Sequence, residues 1–369
     1  MKKIVFAVSC FFLISGSPVF AVKVIEGTDL PTIPAKPKTL LKALSNPVGD
    51  VFKRPSELTL QNKQSEDVTV GGLLFFRFQK YLANGTKPAN FDIDRAYINI
   101  MKRIDGNANF RLTLDAARLN TTTLDTQKSS QQLFDFVKYA YVEIPVKLKE
   151  AETVVKIGQQ QTVWIDWDEK ILDTRFIAKS FVDNEGLMPS ADMGIGVSGK
   201  FGKSDVDYQA TVMNGTGLVP ETDSSKSLAL RISSTGKNAF WGSFINMTGA
   251  TLSNLTGDSK LVGGLVGIKQ KDGTFYSEYI TQGEKYGYSL GALFGLTPNY
   301  NFFARTDEYF PSRNSSLDKI SRQFYGVIFD YSKDIRFALD LQYITGGPSA
   351  TVSAGETTSA IYFHTMAKI

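Results

Sequence analysis

From about residue 67 to Ile369 the chain is written in short segments of alternating polar and apolar residues, separated by gaps that run long, short, long, short. Alternation of period two is the signature of a strand with one polar and one apolar face. Sixteen such segments can be placed: 68–82, 91–104, 109–119, 132–146, 152–163, 193–201, 206–214, 227–235, 239–248, 260–270, 274–282, 286–297, 300–309, 320–331, 335–345 and 359–369. Every even-numbered gap is 2 to 5 residues long, and seven of the eight odd-numbered gaps are 8 or longer, Gly283-Glu284-Lys285 being the exception. A soluble sandwich has no reason to alternate its connections in this way. An antiparallel transmembrane β-barrel with both termini on the periplasmic side does, because its long outer loops and short periplasmic turns lie at opposite rims, and the same topology demands an even strand number. The expected fold is all-β, a barrel of about 16 strands.

Nothing after the leader resembles a run of about 18 apolar residues, so a spanning helix is not expected; Leu73-Leu74-Phe75-Phe76 is among the longest runs. Alternation hides a barrel's hydrophobicity, in keeping with a mean hydropathy of −0.12. Counts of 31 Gly, 26 Phe and 15 Tyr fit a barrel with aromatic girdles. In 91–104, Ala96, Ile98 and Ile100 are expected to face lipid and Arg95, Tyr97, Asn99 and Arg103 the lumen; in 335–345, Ile335, Phe337, Leu339, Leu341 and Tyr343 oppose Arg336, Asp340 and Gln342. A slip of one residue would drive charge into lipid at about 2–4 kcal/mol for a midplane Arg or Lys. The phase is ambiguous in 132–146 and 239–248. The last segment sets Ile361, Phe363, Thr365, Ala367 and Ile369 against Tyr362, His364, Met366 and Lys368.

Residues 1–21 read as a secretory signal peptide: Lys2 and Lys3, an apolar stretch from Ile4 to Ile14, then breakers and Val19-Phe20-Ala21 as a small-residue cleavage site. Residues 22–66 carry Pro31, Pro34, Pro37, Pro47 and Pro55, which disfavour strands. They read as a periplasmic extension, a linker, a plug or an unstructured leader, with a short helix possible over Lys38 to Leu44. Residues 67–369 form the barrel. The single cysteine, Cys10, lies in the leader, which excludes a disulfide framework and a thiolate zinc site. With His364 the lone histidine, neither a histidine triad nor a multi-histidine metal site can be built. A formal net charge of +4, half of it from Lys2 and Lys3, argues against nucleic acid as a partner. No nucleophile elbow, zinc-protease or P-loop motif is present, and no cofactor is expected. Asn84-Gly85-Thr86 and Asn214-Gly215-Thr216 match a glycosylation pattern but read as turn chemistry.

The outlier is the 29-residue gap, 164–192. A structureless loop of that length is usually functional; the plainer alternative is an ordinary solvated outer loop. It holds Trp164, Asp166, Trp167, Asp168, Glu169, Asp173, Asp183, Glu185 and Asp192 against Lys170, Arg175 and Lys179, an acidic excess of seven to three. For the lumen wall the basic candidates are Arg77, Arg95, Arg103, Arg111, Arg231, Arg305 and Arg336, opposed by Asp115, Glu143, Glu278, Asp307, Asp330 and Asp340. Rings of charge set ion preference; for any one of these residues, mutual pairing in a polar interior is the plainer reading. A mixed wall of this kind indicates neither anion nor cation preference.

Five short motifs in order resemble the phosphate-selective porin O/P family and related sixteen-stranded outer-membrane porins. They are Asp94-Arg95-Ala96-Tyr97-Ile98; Ile157-Gly158-Gln159 followed by Trp164; Ala191-Asp192-Met193-Gly194-Ile195-Gly196-Val197-Ser198-Gly199; Val212-Met213-Asn214-Gly215; and Arg305-Thr306-Asp307-Glu308-Tyr309-Phe310-Pro311. The resemblance implies residence in the bacterial outer membrane among lipid and lipopolysaccharide, a homotrimer, a non-enzymatic role, and a third long loop folded inward to narrow the channel. With 164–192 as that loop, the constriction is expected to be acidic. Phosphate specificity is not carried over, because the family's dense arginine ladder and tyrosine cluster are not traceable by eye. The function expected is passive diffusion of small hydrophilic or ionic solutes, with a closed structural or adhesive barrel, and after it an outer-membrane enzyme, as alternatives.

Overall fold

The structure, a computed structural model, describes residues 6–10, 20–24, 68–82, 89–104, 107–118, 133–148, 151–202, 204–251, 254, 259–312, 319–346 and 357–369. The chain divides into two units, Met1–Leu60 and Gln61–Ile369. Within the first, Phe6–Cys10 pairs antiparallel with Phe20–Val24. Of the extension 22–66 only 22–24 is therefore described; these residues are in strand, ahead of the first proline of the segment, Pro31. The expected helix over Lys38 to Leu44 and the Asn84-Gly85-Thr86 turn lie outside the described residues.

The second unit is a closed sixteen-stranded antiparallel barrel. Its strands are β1 Val68–Tyr81, β2 Asn90–Arg103, β3 Asn109–Arg118, β4 Leu133–Leu148, β5 Ala151–Gln161, β6 Ala191–Lys200, β7 Val206–Met213, β8 Lys226–Thr235, β9 Ala239–Ala250, β10 Ser259–Gln270, β11 Gly273–Gln282, β12 Lys285–Thr297, β13 Tyr300–Phe310, β14 Ile320–Asp330, β15 Ile335–Thr345 and β16 Thr357–Lys368. Each falls on a segment expected from the alternation, with no end displaced by more than two residues. Each strand pairs with its sequence neighbours, and β16 closes on β1 in a register running from Ala360↔Tyr81 to Lys368↔Leu73. Ile369 seals the seam: its N–H donates to the Gly72 carbonyl and its carbonyl accepts from the Gly72 N–H, both at 2.9 Å. Closure leaves no strand edge, the condition for placing a sheet in lipid.

Exposure follows the period of two. Phe91, Ile98, Ile195, Tyr279, Val266 and Leu339 point outward and are exposed, while Asp115, Ser233, Glu278, Asp307 and His364 point inward and are buried. An outward apolar band and a polar interior is the membrane arrangement. The two ambiguous segments resolve for different reasons. In β4, Tyr139, Tyr141 and Glu143 face inward and Val137 and Ile144 outward; a register shift opposite Thr113/Leu114 leaves Lys138 as the extra residue, which breaks the alternation. In β9, Trp241 faces outward, whereas Phe240 and Phe244 are inward and almost fully buried. The inner wall is apolar there because another part of the chain covers it.

Candidate functional site

The covering element is the connection between β5 and β6, residues 162–190. It is not structureless. It contains helix α1, Ile165–Leu172, and the short helix α2, Phe181–Asn184. Asp166 and Asp168 in the first turn of α1 and Lys170 in its last complement the helix dipole. Asp173, left-handed at φ 52°, ends it with its N–H on the Glu169 carbonyl at 3.0 Å. The Ser180 hydroxyl caps α2 by accepting from the Asp183 N–H at 3.3 Å.

The segment lies on the inward faces of β8 to β16 and of β1, in two apolar clusters. Val163, Trp164, Ile165, Trp167, Phe181, Val182 and Met188 pack with Phe240, Phe244, Leu261, Leu265, Ile280, Tyr309 and Ile320. Phe176 and Ile177 pack with Phe75, Phe303, Phe324, Ile328 and Ala338. At about 1.5–3 kcal/mol for each large apolar side chain fully buried, this is the largest stabilising term holding the segment in place. Trp164 is its centre. Its ring stacks on Phe244 with centroids 4.4 Å apart and lies 4.8 Å from Trp167. Its Nε1–H donates to Glu278 Oε1 at 2.8 Å. Two glycines admit the closest approaches: a Cβ on Gly242 would stand 2.4 Å from the Trp167 ring, and one on Gly287 2.6 Å from the Phe181 ring.

Wall arginines tie the segment's backbone and acids. Arg231 Nη1 donates to the Val163 carbonyl at 2.7 Å and its Nη2 pairs with Asp207 at 2.7 Å. Arg305 is bidentate to Asp307 at 2.7 and 2.6 Å and gives Nη1 to the Lys179 carbonyl at 2.7 Å. Arg336 bridges Asp330 and Asp173, both at 2.7 Å. Arg322 pairs with Glu185.

These contacts correct the expected acidic character of the constriction. Glu169 is taken by Arg175 at 2.8 Å, Asp173 by Arg336, Asp183 by Lys179 at 3.6 Å and Glu185 by Arg322. Asp192 accepts the N–H of Met193 at 2.8 Å and that of Gly215 at 2.7 Å, holding the Asn214-Gly215 turn. Asp168 points into the wall, fully buried, with no hydrogen-bond partner for either oxygen among the described residues. Burial, reinforced by the neighbouring Glu278 and opposed by Arg305, holds its carboxyl well above the ordinary range. Burial likewise raises Glu169 against the pull of Arg175, and Glu185 against that of Arg322. Of the acids in α1, Asp166 alone is exposed, one turn from the exposed Lys170. Acid composition misled because the acids serve docking rather than the free face.

Beside the docked arc a cavity of about 580 Å³ remains between the segment and β1 to β8. Arg103, Arg111, Lys156, Lys170 and Arg231 line it against Glu143 and Asp166, with Tyr141, Gln161, Ser198 and Gln209 between them. Lys156 meets Glu143 at 3.0 Å. Arg103 bonds Asn107 at 2.8 Å, and Arg111 bonds Thr113 at 3.1 Å and Asn99 at 3.0 Å. Arg103, Arg111 and Lys170 thus have no carboxylate partner among the described residues. Tyr139 lies 5.0 Å beneath the Arg111 guanidinium and Tyr141 4.9 Å beneath the Lys156 ammonium. Further along the wall, Arg95 pairs with Asp115, and Arg77 with Asp94 at 3.1 Å and Asp92 at 3.7 Å. Asp340 lies 2.7 Å from the buried His364 and accepts from Gln342 at 2.8 Å. Lys156, Arg322, Tyr139 and Tyr141 escaped sequence reasoning, though their inward phase in β5, β14 and β4 was the available signal; Lys170 was counted only among the charges of 164–192.

No family model and no curated protein matches the chain. Solved structures do match in fold. The anion-selective porin from Comamonas acidovorans gives a TM-score of 0.54 at 11% identity, covering 82% of this chain and 99% of that one. OprB of Pseudomonas putida at low pH gives 0.57 at 8%, covering 82% and 93%. In-vitro folded OmpT of Vibrio cholerae, in a trimer form, gives 0.52 at 11%, covering 82% and 99%. The closed barrel, its outward apolar band and this likeness place the chain in the bacterial outer membrane.

Proposed function

We propose that the chain is a porin, a water-filled channel through which small hydrophilic solutes and ions diffuse without chemistry, and that 162–190 is its constriction. One observation carries this reading. The segment covers the apolar arc of the wall and leaves a cavity lined by charged and polar side chains, which is what a hydrated path requires and a closed structural barrel does not. Arg103, Arg111 and Lys170, which have no carboxylate partner among the described residues, make that path basic. A narrow neck between low-dielectric walls focuses such charge, so small anions pass more readily than cations. Three copies would associate through their lipid-facing bands, with membrane lipid and lipopolysaccharide around them; the trimer form among the similar structures supports this. Membership of the phosphate-selective porin O/P family rests on the five motifs alone. Reversal potentials of the purified protein in a planar bilayer under a potassium chloride gradient test the reading. An anion-selective potential that shrinks at about 1 M salt, where the Debye length is about 3 Å, is expected. A cation-selective one would overturn the charge assignment.

A further inference from the structure

Asp168 sits where a charged carboxylate cannot rest. It is in the first turn of α1, fully buried beneath the helix, and neither oxygen has a hydrogen-bond partner among the described residues. The groups acting on it from the barrel wall are Glu278 of β11 and the Arg305–Asp307 pair of β13. From its own helix it feels Glu169, already taken by Arg175. Arg305 is the nearby cation, but it aims three of its five N–H groups at Asp307 and the Lys179 carbonyl, and none of its hydrogen bonds reaches Asp168. Next to Asp168 in the chain, Trp167 is wedged on Gly242, and three residues before Trp167, Trp164 is bonded to Glu278. While α1 stays docked, both carboxyl oxygens are shut off from solvent.

We infer that Asp168, fully buried beneath α1 with no hydrogen-bond partner among the described residues, is a positioning residue that makes docking of 162–190 depend on proton concentration, the segment leaving the wall as pH rises. Its effect on current rests on the channel reading above; its effect on docking does not. When Asp168 loses its proton to solvent, a carboxylate is left in a dry site facing Glu278 and Asp307, and the cheapest escape is for α1 to lift. The sign follows from linkage. A group held above its ordinary range when docked favours the docked state fully below the unperturbed carboxyl range, and that preference is lost as pH rises through the raised value. Between the unperturbed carboxyl range and that raised value each pH unit moves the balance about tenfold toward the released form, and above it the balance is level. Glu185, paired with Arg322, and Glu169 are shifted in the same direction and add to the trend, so the variant rather than the trend identifies the residue.

The test uses full-length protein refolded in detergent and in planar bilayers. In single-channel records the ratio of time in a wide state to time in the narrow state should rise with pH, approaching about tenfold per unit, and Asp168→Asn should hold it near its low-pH value. Glu278→Gln, which removes the neighbouring carboxyl but keeps an acceptor for Trp164, should move the transition to lower pH. Independently, in a Trp241→Phe background Trp164 and Trp167 are the fluorophores; their emission should shift to the red as pH rises, and Asp168→Asn should abolish most of that shift. A wild-type response that is flat in both readouts, or one that Asp168→Asn leaves intact, overturns the inference. Folded barrels that pass no current yet show the Asp168-dependent emission shift would overturn the channel reading and leave the docking switch standing.

Discussion

Replacing Trp164 by alanine should release the segment from the wall. The ring is completely buried between Phe244 and Trp167, and its N–H is bonded to the buried Glu278. Truncating a buried tryptophan to alanine costs about 3–5 kcal/mol, and leaving a buried acceptor unmatched adds about 1–3 kcal/mol. The smaller figure alone raises the open population of the segment more than about a hundredfold. Trp164→Phe separates the two contributions. It keeps most of the ring contact and forfeits the hydrogen bond, so about 1–3 kcal/mol, or about fivefold to a hundredfold, is expected. Cleavage of the folded protein by a dilute protease reads the open population when opening is fast relative to cutting. The cleavage rate within 162–190 should therefore rank wild type, then Trp164→Phe, then Trp164→Ala. Unboiled gel migration shows that the barrel itself stays closed. Equal rates in all three, with the barrel intact, would refute the claim that this anchor holds the segment.

Gly242→Val should give a similar release, because its Cβ and methyl groups occupy the space of the Trp167 ring, and the same protease assay reads it. Arg111→Gln combined with Lys170→Gln should move the reversal potential toward cations, and Asp166→Asn should move it toward anions. Asp168→Asn should leave that potential unchanged at low pH, since its carboxyl is already uncharged there. Deleting residues 23–60 should leave membrane insertion intact, since the barrel's pairing begins at Val68; loss of insertion would make that extension part of the assembly.

The barrel was legible because its physics is local. Alternation fixes which way each side chain points, and the outward apolar phase of β2 or β15 has one solution in lipid. The site was less so, for a reason seen in β9. Phe240 and Phe244 face the lumen, which a rule of polar interiors forbids, yet they are buried by Trp164 and Trp167, residues more than seventy positions earlier in the chain. No local pattern announces that meeting. The charges failed in the same way. Counting acids in 164–192 gives a negative segment, but which acids are free depends on Arg175, Arg322 and Arg336, two of which belong to strands over a hundred residues away. Phase alone singled out seven candidate wall arginines, passed over Arg322, and paired none of them with its acid.

Single-channel recording tests the central claim most directly: a water-filled path narrowed by 162–190. The wild type should insert in planar bilayers as uniform, stepwise conductances. A variant in which 162–190 is replaced by a short Gly/Ser connection, and which still migrates as a closed barrel on unboiled gels, should give larger steps with weaker selectivity. Folded wild-type protein that gives no steps, or steps of the same size with and without the segment, would contradict the account.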